Sequence, residues 1–134
     1  MPGNPAAACP CGLPASYEAC CGRWHGGELH LRAPDATTLM RSRYSAYVLG
    51  LRDYLLDTWH AATRPASLEP DPPGLRWLGL DIRHHDVVDD THATVEFVAR
   101  SKLGGRAHRL HEVSRFERVN DRWFYCDGDF RVPG

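Results

Sequence analysis

The sequence predicts an α+β fold in which helices come first and an antiparallel meander follows, with a cysteine-rich segment ahead of both. Three observations carry this. Apolar residues from Met40 to Trp59 recur at helical spacing, those beyond Gly74 alternate with a period of two, and four of the five cysteines fall between Cys9 and Cys21. A chain of 134 residues suffices for one domain with a small appendage. The expected division is a metal-binding module over residues 1–30 and an α+β body over 31–134.

Gly26-Gly27 and Ala33-Pro34 mark the junction between the two. Asp35 or Thr37 then caps a helix whose apolar positions are Met40, Tyr44, Tyr47, Val48 and Leu51, with Gly50 interrupting or ending it. Asp53 opens a second, short helix that buries Leu55, Leu56 and Trp59. Prolines then crowd the stretch from Ala61 to Gly74 and forbid a long regular element. Leu78, Leu80 and Ile82 share one face of a first strand, which His84-His85-Asp86 brings to a turn. Thr91 to Ser101 forms a second, with Ala93, Val95, Phe97 and Ala99 on one side. Gly104-Gly105 is a hairpin signal leading into a third strand, His108 to Val119. Asn120-Asp121 turns the chain into a fourth, Arg122 to Asp129.

The cysteines are grouped for chemistry. They read Cys9-Pro-Cys11, then Cys20-Cys21-Gly22, with Cys126 far away between aromatic residues, where an inert thiol is expected. Adjacent Cys20 and Cys21 do not readily bridge each other, and no basic-then-apolar leader points to an oxidising compartment. Four thiolates in one short loop suit a closed tetrahedral site, with zinc as the expected ion and Cys9, Cys11, Cys20 and Cys21 as ligands; His25 is the alternative fourth ligand. A closed shell makes the ion structural rather than catalytic, and a module with so little core draws its folding free energy from the metal. On this reading the body folds independently of it.

The pattern CPCGLPASYEACCG resembles the SEC-C zinc motif, although Leu13, Pro14, Ala15, Glu18 and Ala19 replace small and basic residues common there. Four further stretches, MRSRYSAYVLG (40–50), DTWHAATRP (57–65), VEFVAR (95–100) and HEVSRFERVNDRWFYCDG (111–128), are similar to the YchJ (UPF0225) family. The resemblance implies a nuclear-transport-factor-2-like (SnoaL-like) body: a cone of helices packed on a curved antiparallel sheet. SEC-C segments elsewhere contact chaperones and ribosomes.

Within such a cone, Leu110, Glu112, Ser114 and Phe116 point inward from the third strand, and Trp123, Tyr125 and Asp127 share a face of the fourth. Arg41, Tyr44, Trp59, His60, Glu112 and Tyr125 are the candidates for a ligand pocket. The plainer alternative is a filled cone in which Glu112 pairs with Arg41 or Arg43, because a buried carboxylate is too costly to keep charged alone. His84, His85, Asp86, Asp89, Asp90 and His92 are expected to be solvated turn residues rather than a second metal site.

With 16 Lys and Arg against 17 Asp and Glu, the net charge of -1 argues against binding a polyanion by bulk charge. Arg109 and Arg115 form a local basic stripe, so RNA contact is expected only through a ribosome. No apolar run of about 18 residues crosses a membrane, and the expected compartment is the cytoplasm. Phosphate loops, dinucleotide fingerprints and nucleophile triads are missing from the sequence. Two functions stand: a non-catalytic adaptor docking a protein or ribosomal partner through the zinc module, or a small-molecule enzyme of isomerase, hydratase or hydrolase type. An open cone with Glu112 free of arginine favours the second; a filled cone with Glu112 ion-paired favours the first.

Overall fold

The structure is a computed structural model and describes residues 7–131. Residues 1–6, which open the predicted module and were read above as carrying no export signal, lie outside the described residues, as do residues 132–134.

Three helices precede a four-stranded antiparallel sheet of order β1-β2-β3-β4. The helices are α1 (Gly22–His25), α2 (Ala36–Leu49) and α3 (Arg52–Asp57); the strands are β1 (Arg76–Asp89), β2 (His92–Leu103), β3 (Arg106–Val119) and β4 (Arg122–Phe130). Among the described residues no helix is long and apolar enough to cross a membrane. Asp35 starts α2 by accepting the Thr38 backbone N–H at 2.7 Å, and Gly50 ends it in the left-handed region at φ 72°. Gly104-Gly105 and Asn120-Asp121 join strands through two-residue turns with positive φ at both positions, the geometry whose twist matches antiparallel strands.

The α2 helix packs across the inner face of the sheet. Leu39, Met40 and Tyr44 bury against Ala93, Val95, Phe97 and Ala99 of β2 and Phe116 of β3, with Tyr54 and Leu55 of α3 closing one side. Beyond α3 the chain runs along β4: the Tyr125 N–H donates to the Thr58 carbonyl at 2.8 Å, and the His60 N–H donates to the Tyr125 carbonyl at 2.7 Å. This covers part of the β4 edge.

The strands depart from the simple alternation at bulges. A register shift between Trp77 and Gly79 makes Leu78 the extra residue of β1, so it faces solvent while Trp77, Leu80 and Ile82 pack on the core. His84-His85-Asp86 does not turn the chain; β1 continues through it to Asp89, because the partner residues Thr94 to Glu96 extend the ladder. A second shift pairs Arg115 with Asp127 and Phe116 with Tyr125, leaving Cys126 as the extra residue. Asp127 therefore leaves the inner face expected for it and meets Arg115 outside at 2.6 Å. Asp129 holds the same guanidinium at 2.8 Å, so Arg115 is neutralised and no longer contributes to a basic stripe.

The cysteine-rich segment is not an independent appendage. Trp24, which is 8% exposed, belongs to the same apolar cluster as Leu39 and Phe116, and Leu31 packs against that cluster. Trp24 and Leu31, on either side of the boundary expected at residue 30, thus pack in one cluster, while the four cysteines form a second with Ala15 and Tyr17. Trp24→Ala should cost about 3–5 kcal/mol and lower the melting of the whole chain in one transition. Two separated transitions in a calorimetric scan would show that module and body are energetically uncoupled.

Candidate metal centre and cone cavity

Cys9, Cys11, Cys20 and Cys21 are all buried, and their sulfur atoms lie within 4.8 Å of one another. A hairpin-like loop creates this proximity: the Cys9 N–H donates to the Ala15 carbonyl at 3.0 Å and the Tyr17 N–H to the Ala7 carbonyl at 2.8 Å, folding the two cysteine pairs together. Gly22 completes the bend. A Cβ there would sit 2.8 Å from the Tyr17 carbonyl oxygen, closer than side chains pack.

The donor set fits a metal ion. Sulfurs around a tetrahedral ion with bonds of about 2.3 Å stand about 3.8 Å apart, and Cys11 and Cys20 are separated by 3.6 Å, far beyond a disulfide bond. Without a cation the cluster is electrostatically frustrated. Burial, with the neighbouring Cys11 and Cys9 sulfurs, raises the Cys20 thiol to about 11, while hydrogen bonds from Cys11 and Cys21 draw Cys9 down. Several thiolates at this spacing need positive charge between them. His25 is not a ligand. Its Nε2–H donates to the Ser42 carbonyl at 2.8 Å, and its Nδ1, in a ring that burial keeps neutral, accepts from the Tyr17 hydroxyl at 2.6 Å.

The centre docks directly on α2. Cys9 Sγ lies 3.6 Å from Ser45 Oγ, and Arg41 Nη1 donates to the Cys11 carbonyl at 3.0 Å. His25 stands edge-on to Tyr54, whose hydroxyl pairs with that of Ser42 at 2.8 Å. Arg41 therefore belongs to this interface and not to the cone cavity, a correction to the expected pocket. Two residues further on, Arg43 points the other way, since 200° of helical rotation separates them. Among the described residues these four cysteines are the one group of potential ligands that converges; His84 pairs with Asp86 and His92 with Asp89.

Between α2 and the sheet lies a half-open cavity of about 420 Å³. Tyr44, Trp59, Glu112 and Tyr125 line it together, joined by Arg43, Tyr47, Trp77, Ser114 and Phe130. His60 does not. Its Nε2 reaches Glu117 of β3 at 2.6 Å and its ring stands edge-on to Phe124 of β4, because Trp59 and His60 project to opposite sides of an extended segment.

The interior charges are not arranged as an ion pair. Arg43, 3% exposed, donates from Nη1 to the Leu55 carbonyl and to Thr58 Oγ1, each at 2.7 Å. Its guanidinium carbon lies 5.0 Å from the Trp59 ring centre and 4.7 Å from that of Tyr125, a cation held on two aromatic rings. Burial lowers its pKa from the ordinary arginine value, and neighbouring tyrosines and Glu112 oppose that. Glu112 instead takes hydroxyl donors on Oε2: Ser114 at 2.5 Å and Tyr125 at 3.1 Å. The expected bridge from Glu112 to Arg41 or Arg43 is thus not formed, because two hydroxyls satisfy the carboxylate and carbonyl, hydroxyl and π-faces satisfy the guanidinium. Burial, followed by the Glu112 charge, pushes the Tyr125 phenol well above its usual range, so Tyr125 is held as a hydrogen-bond donor. Cys126 is a protonated thiol, raised to about 11 chiefly by burial.

Gly128, opposite Ser114 on β4, makes room for this carboxylate: a Cβ there would overlap the Glu112 side chain. Gly128 lies inside the fourth strand that the sequence predicts, and a glycine at such a position is the signal of a close approach that the sequence reading passed over. Trp77 was likewise missed, since the Leu78 bulge reverses the phase that would have turned it inward. Gly128→Ala should destabilise the fold by about 1–3 kcal/mol by displacing Glu112. In a Glu112→Ala background the same substitution should cost almost nothing; equal costs in both backgrounds, measured by urea denaturation, would separate Gly128 from the carboxylate.

Residues 35–128 match the family model described as YchJ, middle NTF2-like domain. The chain is 62% identical over 130 residues to a UPF0225 protein of Bordetella parapertussis, covering 97% of each chain. It is 65% identical over 125 residues to a UPF0225 protein of Methylibium petroleiphilum, covering 93% of this chain and 90% of that one. Among solved structures, a SEC-C motif containing protein from Rhodopseudomonas palustris superposes with a TM-score of 0.78 at 30% identity, covering 92% of this chain and 98% of the other. A SEC-C motif containing protein from Psychrobacter arcticus gives the same TM-score, 0.78, at 27% identity, covering 97% of this chain and 86% of that one.

Proposed function

We propose, starting from a chain that belongs to the YchJ (UPF0225) family, that this protein binds a small molecule in its cone and uses a structural zinc ion to hold the cone's main helix. The observation that carries the reading is the half-open cavity between α2 and the sheet, where Glu112, without an arginine partner, directs both of its hydroxyl donors to Oε2 and leaves Oε1 without a donor among the described residues. An aromatic-walled cavity with one carboxylate oxygen still open to a donor is what a small-molecule site requires.

Zinc is the ion the donor set supports, since four thiols close a tetrahedral shell without demanding redox chemistry or an open position. When bound it would keep the four sulfurs deprotonated. Cytoplasmic residence agrees with thiols kept reduced for metal. Binding is favoured over turnover because the Tyr125 phenol keeps its proton and Glu112 is already engaged by two hydroxyls.

A second reading, docking of a protein or ribosomal partner through the SEC-C segment, is supported by Leu13 and Leu29, which are exposed on that segment. Deleting the segment is a poor test of it, because removal would uncover Trp24's place in the core. Leu13→Glu with Leu29→Glu is cleaner: loss of ribosome co-sedimentation by an otherwise folded variant is expected on this reading, and equal sedimentation of both proteins, or of neither, counts against it.

Elemental analysis of reduced, freshly purified protein should find about one zinc per chain; a metal-free preparation that melts normally would overturn the structural ion. For the cavity, the uncharged dye Nile red should brighten on binding the protein. Leu110→Trp, at the cavity wall where Leu110 is partly exposed, should abolish the enhancement, and an undiminished signal would place the dye elsewhere.

A further inference from the structure

The charge and shape of what enters the cone can be read from its walls, given the binding function proposed above. Three charged side chains line the cavity: Asp71, Arg43 and Glu112. Asp71 is exposed and already accepts the Trp77 indole N–H at 3.0 Å. Arg43 lies over the Trp59 and Tyr125 rings, so the protein's own cation already occupies those two faces. Glu112 concentrates both of its hydroxyl donors on Oε2, and Oε1 accepts none among the described residues. Oε1 is not among the buried atoms lacking a partner, so it remains reachable from the cavity.

An anion entering here meets the open oxygen of Glu112, and a cation meets Arg43. Inside the cone these two charges oppose each other, and the charge of exposed Asp71 is screened by solvent, so neither sign of ligand is strongly favoured. What the walls do offer is one acceptor, Glu112 Oε1, and aromatic surfaces from Tyr44, Tyr47, Trp77 and Phe97. Flat rings pack well on such surfaces at edge or offset geometry. We infer that the ligand is an uncharged, planar aromatic molecule carrying a hydroxyl group, of the phenol class, which donates to Glu112 Oε1.

Three probes with one ring system test this on the full-length metal-loaded protein by isothermal titration at about pH 7, where a phenolic hydroxyl stays protonated. They are 2-naphthol, 2-naphthoate and 2-naphthylmethylammonium, with naphthalene as the control lacking a hydroxyl. The expected order places 2-naphthol about tenfold tighter than naphthalene and tighter still than both ions. Glu112→Gln should weaken 2-naphthol about tenfold and strengthen 2-naphthoate, because Arg43 then stands alone. Glu112→Asp, which keeps the charge but draws the carboxylate back from the cavity, gives a second variant should Glu112→Gln fail to fold; it should weaken 2-naphthol several-fold while leaving naphthalene unchanged. Tighter binding of either ion overturns the uncharged class while leaving the cavity a binding site. Equal affinity for naphthalene and 2-naphthol overturns the hydroxyl. No heat from any probe, with Nile red also excluded, overturns the binding function itself.

Discussion

The docking of the four-cysteine centre on α2 is the constraint on which the other features of the fold depend. One helix has two tasks. Through Arg41, Ser42 and Ser45 it receives the cysteine loop and His25, and through Met40, Arg43, Tyr44 and Tyr47 it forms one wall of the cavity. The helical repeat separates the two sets without any break in the helix. A segment whose cysteines cluster with only Ala15 and Tyr17 thereby joins the body's apolar core through one anchor, Trp24. Metal binding in such a loop amounts to folding free energy, and on the proposed function that energy would be passed to the helix which shapes the cone.

The interior of the cone resolves its polar groups in an economical way. A buried arginine and a buried glutamate would be expected to neutralise each other, yet each is satisfied separately. Arg43 uses a carbonyl, a threonine hydroxyl and two rings; Glu112 uses a serine and a tyrosine. Tyr125 serves both, offering its face to the cation and its hydroxyl to the carboxylate. The arrangement keeps one carboxylate oxygen unspent, whereas a bidentate salt bridge would have consumed both. Fixed dipoles of this kind hold the charges in place without closing the cavity.

Much of this was legible in the sequence because the signals were local. Asp35 capping a helix, Gly104-Gly105 and Asn120-Asp121 turning strands, and the clustered cysteines all follow from the chemistry of a few adjacent residues. The inward rows Ala93, Val95, Phe97, Ala99 and Glu112, Ser114, Phe116 followed from a period of two. The errors arose where a single inserted residue changed that period. Bulges at Leu78 and Cys126 turned Leu78 and Asp127 outward, and the signal that could have marked them was a glycine inside each strand pattern, Gly79 and Gly128. The choice between Arg41 and Arg43 could have been made from spacing, since Arg43 lies three residues after Met40 and four before Tyr47. What no sequence pattern could supply was the long-range packing of Trp24 and Ser45 against residues distant in the chain.

The coupling of the cysteine centre to the cone is tested most directly by hydrogen exchange on the α2 amides from Leu39 to Ala46, comparing metal-loaded protein with protein stripped under reducing conditions. Stripping should sharply reduce protection along this helix and along the β2 residues beneath it. If only the amides of the cysteine loop lose protection while those of α2 exchange as slowly as before, the helix does not depend on the metal and the account fails.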